Sequence, residues 1–113
     1  MASEGGFWSR VSGEVKQATE RTRREARRAV RMGVLRVDLV SLRRDRTRAH
    51  ANLGERVLQL WTGDALGTIE TDPEALRLRA LVQEIETAIR AKRDELERLR
   101  HDGNEQQAGS NGG

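Results

Sequence analysis

Apolar residues recur at alternating steps of three and four along two stretches of this chain, and that spacing confines it to long helices. In the first stretch Leu35, Leu39, Leu42, Ala49, Leu53, Val57 and Leu60 share one face, with Arg46 as the sole intruder. In the second, Leu78, Leu81, Val82, Ile85, Ala88, Ile89, Leu96 and Leu99 do the same around Lys92. Alternating threes and fours make the seam of a coiled coil. Residues 62–72, T-G-D-A-L-G-T-I-E-T-D, break the period and hold two glycines, Gly63 and Gly67. The expected fold is therefore all-α, a long antiparallel helical hairpin over residues 34–101 with its connection at 62–72.

Folding the two stripes head to tail matches them layer by layer. Leu60 meets Leu78, Val57 meets Leu81, Leu53 meets Ile85, Ala49 meets Ile89, Leu42 meets Leu96 and Leu39 meets Leu99. The same register sets Arg46 and Lys92 in one layer, where their stems pack and their heads reach water, with Asp45, Asp94 and Glu95 near in sequence to neutralise them. Burying each apolar layer contributes about 2–3 kcal/mol. Layers of that size barely offset the entropy of ordering the chain, so self-association is expected. Leu66 and Ile69 are expected to fold back over the hairpin end beside Trp61.

The second helix has clear start signals. Asp72 suits an N-cap, Pro73 suits the first helical position, and Glu74 favours the positive end of the helix dipole. At the far end Arg98, Arg100 and His101 suit the negative end, and Gly103 offers a left-handed cap. Residues 102–113, D-G-N-E-Q-Q-A-G-S-N-G-G, have the composition of a disordered tail.

Residues 1–33 have a different character. Phe7, Val11, Val15, Ala18, Thr22, Ala26, Ala29, Gly33, Val37 and Val40 recur at steps of four, four and three, an eleven-residue repeat that makes a nearly straight stripe. Trp8 and Val30 border it. Arg10, Lys16, Arg21, Arg23, Arg24, Arg27, Arg28 and Arg31 fill the remaining arc, only partly balanced by Glu14, Glu20 and Glu25. Nothing in the hairpin is left to cover residues 7–34, so this basic amphipathic arm is expected to project beyond it by ~40 Å if helical. Gly33 marks a kink, a close backbone approach or a weak point. Over residues 34–42 the two stripes coexist, which implies burial from two sides, one of them by a partner outside the chain.

Charge follows the same division. Residues 1–33 carry eight Lys/Arg and four Asp/Glu, residues 34–61 six and three, and residues 62–113 seven and eleven. A basic first half and an acidic second half attract one another. Nineteen of the 21 basic residues are arginine, also outside any cluster, which reflects a GC-rich genome more simply than selected arginine chemistry.

The arm admits three readings. Small residues at Ala18, Ala26, Ala29 and Gly33 allow close helix approach, with Arg–Glu pairs choosing the partner, so a homo-oligomer or another helical protein is the first. A basic amphipathic helix tipped by Phe7 and Trp8 suits an anionic membrane or lipid-particle surface, although the Ala and Thr in mid-stripe insert weakly. Salt-sensitive binding of nucleic acid is the third, without any base-reading motif and without aromatics among the charges. The contact residues are expected to be Phe7, Trp8, Val11, Val15, Arg21, Arg24, Arg27, Arg28 and Arg31.

Other chemistry has little support. The chain has no cysteine, which excludes disulfides and thiolate metal sites. His50 and His101 stand far apart, no triad or two-histidine metal spacing occurs, and Gly5-Gly6 precedes no strand–helix unit that cradles phosphate. No enzyme activity, cofactor, metal or small-molecule substrate is expected. No apolar run is long enough to cross a bilayer, and a cytoplasmic address is the default expectation.

The run L42-R-R-D-R-T-R-A-H-A-N-L-G-E-R-V-L-Q-L-W61, followed by D72-P-E-A-L-R-L-R-A-L-V-Q-E-I-E-T-A-I89, resembles small uncharacterised bacterial helical-hairpin proteins. These share a Leu-Gly near the end of the first helix and an acidic start to the second. Some carry an N-terminal amphipathic segment, and some end in a zinc ribbon, which the lack of cysteine rules out here. The resemblance covers about half the chain and implies a bacterial, non-enzymatic coiled-coil protein with a structural or adaptor role.

Overall fold

The computed structural model describes residues 2–111, with side chains for residues 9–105. Helix α1 spans Ala2–Thr62 and helix α2 spans Pro73–Asn111, joined through a single 3₁₀ turn at Leu66–Thr68. No strand occurs among the described residues. The all-α hairpin read from the sequence is the observed architecture.

Two compact units share these helices. One comprises Leu35–Arg98, and the other combines Met1–Val34 with Leu99–Gly113.

The Leu35–Arg98 unit is built on the expected seam. Leu39, Ala49, Ile85 and Ile89 form its buried centre, with Leu42, Leu81, Val82 and Leu96 packed around them. Leu35, Leu60, Ala75 and Leu78 are buried as well. Leu53 and Val57 are half-buried, because near the connection they border a hollow that Ile69 and Leu76 line only in part. Arg46 and Lys92 are half-buried, as their long stems allow. Lys92 Nζ lies 3.3 Å from Asp38 Oδ2, an acid of α1 that the sequence reading did not pair with it. Glu86 approaches His50 across the hairpin at 3.9 Å, with both side chains about half exposed.

The connection is closed at both ends by specific backbone chemistry. Ala65 N–H donates to Leu60 C=O at 2.7 Å, and Asp64 N–H to Trp61 C=O at 3.0 Å. These are the paired bonds of a Schellman stop, which needs a left-handed residue just past the helix. Asp64 supplies it, with φ 55°, while neither Gly63 nor Gly67 has a positive φ. Aspartate tolerates this conformation better than most residues. Ile69 tucks inward as expected. Leu66 and Trp61 do not, being 40% and 66% exposed.

At the start of α2, Asp72 accepts a hydrogen bond from Ala75 N–H at 2.9 Å, the expected N-cap. It also receives both arms of Arg56, Nε to Oδ2 at 2.9 Å and Nη2 to Oδ1 at 2.6 Å. One carboxylate thus caps α2 and ties it to α1. Arg56 and the Ala75 amide hold the Asp72 carboxyl down at about 2, against its ordinary 3.8. Glu74 is lowered too, by its hydrogen bonds from Arg77 one turn on.

The second unit departs from the sequence reading. Helix α2 does not stop at His101 but continues to Asn111, so the tail expected from residue 102 is helical as far as the structure describes it. Gly103 is not a left-handed cap, since its φ is not positive. It is buried in mid-helix beneath Arg28, whose Cζ would lie 2.9 Å from a Cβ added there. His101 does not face a helix end, and its Nε2 pairs with Glu105 one turn further on at 3.0 Å. The physical reason is tertiary. Glycine at 103 makes room for the Arg28 guanidinium of α1, and that packing carries the helix past a residue whose local chemistry allows a stop. The arm is accordingly not left without cover along its whole length, as the sequence reading had it. Gly33 is helical and no close backbone approach occurs there, because a Cβ would meet nothing within 4 Å.

Candidate partner-binding surface

Most of the arm's apolar stripe stays open to solvent over the described residues. Val15 and Val30 are 61% and 68% exposed, while Val11 is half-buried. Ala18, Thr22, Ala26 and Ala29 are exposed, and Thr22 folds its hydroxyl back onto Ala18 C=O at 2.9 Å, which hides that polar group from the stripe. Arg21, Arg24, Arg27 and Arg31 are exposed beside them. Arg28 differs, being half-buried over Gly103. It belongs to the contact between α1 and the end of α2 and not to the free face that the sequence reading gave it. The side chains of Phe7 and Trp8 lie outside the described residues.

The seam residues Leu39, Leu60, Leu78, Ile85 and Ile89 are buried, and Leu42, Leu53, Val57, Leu81 and Leu96 are half-buried. Leu99, half-buried, belongs to the other unit. The expectation that residues 34–42 need cover from two sides acquires a physical form. Leu35 and Leu39 are 0% and 4% exposed, yet Val37 and Val40, two and one residues away, are 69% and 49% exposed.

Those valines begin a face that sequence reasoning left unassembled. Val37, Val40, Arg44, Thr47, Ala51, Gly54, Leu58 and Trp61 recur at alternating steps of three and four, nearly opposite the seam, and all are exposed. Two shallow depressions lie along it. Val40, Arg44, Thr47 and Ala51 border one. Ala51, Gly54, Leu58 and Trp61 border the other. The signal was present as a second heptad pattern, masked by the arginine at 44 and by residues too small to register as apolar.

Among the described residues no three His, Cys, Asp or Glu side chains are placed to hold a metal ion. No described helix is long and apolar enough to cross a membrane. No protein-family model matches this chain, and neither a curated protein nor a solved structure matches it.

Proposed function

We propose that this chain is a non-enzymatic structural or adaptor coiled coil, which associates with a further copy or with another helical protein through the face of α1 that α2 does not cover. The observation that carries this reading is the row of exposed valines. Val34, Val37 and Val40 are between 43% and 69% exposed on a stretch whose other face, at Leu35 and Leu39, is sealed, and Val15 and Val30 of the arm are exposed as well. Isolated exposed apolar residues need no explanation, but a periodic row on one helix does. The arm adds specificity. Exposed Arg21, Arg24 and Arg27 beside Ala18 and Ala26 favour a helix carrying carboxylates on its flanks.

The test compares the full chain with a Val15→Glu/Val30→Glu variant. Both positions are exposed, so helicity by circular dichroism is expected to be unchanged, while light-scattering mass or binding of a helical partner falls in the variant. Equal mass and equal binding in the two proteins would count against the arm. Flotation with anionic vesicles and retention on mixed DNA are run beside it. Flotation of the parent but not the variant would transfer the arm to a membrane surface, and salt-sensitive DNA retention would transfer it to nucleic acid.

A further inference from the structure

We infer that the outer face of α1 within the hairpin, from Val37 to Trp61, is a docking surface for a second copy of this chain, laid antiparallel about a two-fold axis midway between Thr47 and Ala51. The inference deepens the reading above, since it rests on self-association and assigns it to a defined surface and register.

The face is self-complementary in that direction. Turning a second helix end for end sets Val37 against Trp61 of the second copy, Val40 against Leu58, Arg44 against Gly54 and Thr47 against Ala51. All four bulky apolar side chains, which are between 49% and 69% exposed in the single chain, then meet one another. A shift of one heptad either way leaves part of this set uncovered, which fixes the register. A parallel arrangement puts Arg44 on Arg44 and Glu55 on Glu55, so charge selects the antiparallel one. There the Arg44 stem crosses Gly54 of the second copy and its guanidinium reaches the adjacent Glu55. Arg44 and Glu55 form no ion pair within the chain among the described residues, so both are available for this. The two Arg48 side chains, on the rim near the axis, turn their heads to water.

Gly54 supplies an independent argument. It lies in the interior of α1, is exposed, and a Cβ there would meet nothing within 4 Å. Glycine in a helix interior is destabilising relative to alanine, and nothing within the chain uses the missing side chain. Close approach of a second helix does use it, because the arginine crossing it needs the space.

The test uses the full chain, which is free of cysteine. Val40→Cys and Leu58→Cys variants are prepared separately and oxidised alone and mixed. A covalent dimer is expected in the mixture and not in either variant alone. A dimer from one variant alone indicates parallel pairing and overturns the register. Absence of a mixed dimer, with Gly54→Gln and Leu58→Glu associating as tightly as the parent, overturns the surface. If the surface is right, those two variants keep the parent's helicity but associate at least about tenfold more weakly. A parent monomeric at every concentration ends both this inference and self-association. A parent that associates, but loses mass only in the Val15→Glu/Val30→Glu variant, ends this inference alone.

Discussion

Two faces of the same helix, a residue or two apart, have opposite fates here. Leu35 and Leu39 vanish beneath α2, while Val37 and Val40 face water. Intrinsic preference does not separate them, since all four are aliphatic. Direction does, because a 100° step per residue carries a side chain from the core to the outside within two positions. The comparison teaches that α2 is a narrow cover. It seals one stripe of a helix that has two.

The first way to sharpen that contrast is to truncate both faces. Leu39→Ala should destabilise the hairpin by about 3 kcal/mol, through lost burial and the cavity left behind. Val37→Ala should change monomer stability by less than about 0.5 kcal/mol. Urea denaturation at concentrations where the chain is monomeric measures both. Comparable losses would mean that the second face is covered within the single chain.

The next effect concerns the hairpin end. Asp72→Asn should lower the melting temperature, since it weakens the α2 cap and the Arg56 pairing together. The acid limb of the stability curve should change with it. Because the Asp72 carboxyl titrates at about 2 in the fold and nearer 3.8 in the unfolded chain, protonating it costs more in the fold. Its contribution is complete above the ordinary carboxylate range and is lost as pH falls from about 4 towards 2. The parent should lose melting temperature across that window, and Asp72→Asn should lose less. Parallel curves would place the acid sensitivity elsewhere.

Smaller again, Asp64→Gly should stabilise the chain by about 0.5–1 kcal/mol, because glycine adopts the left-handed conformation at the end of α1 without steric cost. A destabilised variant would show that the Asp64 side chain does more than tolerate its backbone. The smallest effect is expected for Gly103→Ala. The gain in helix preference, about 1 kcal/mol, is set against moving the flexible end of Arg28, and the two nearly cancel. Loss of helix beyond residue 101 on that substitution would mean that the space over Gly103 is what holds the end of α2 in place.

These particulars show what the sequence makes visible. The seam from Leu39 to Ile89 was legible because long periodic patterns average over local preference. The Asp72–Pro73 start was legible because its residues act on their own neighbours. Arg56 as the partner of Asp72 was not, because a contact between helices leaves no fixed spacing. The left-handed stop was assigned no residue, since two glycines compete beside Asp64. Gly103 resembled a helix end because a glycine after Arg98, Arg100 and His101 suits one: local chemistry allowed a stop, and packing against Arg28 overrode it. The outer face was missed because Arg44, Thr47, Ala51 and Gly54 are not apolar enough to mark a stripe until their exposure is seen.

The central claim is that α1 carries a second apolar face which the single chain leaves open and a second copy of the chain closes. Sedimentation equilibrium of the intact protein across a wide concentration range tests it most directly. Mass should rise from 12.7 kDa towards a dimer or higher assembly as concentration increases. A mass of 12.7 kDa at every concentration would contradict it.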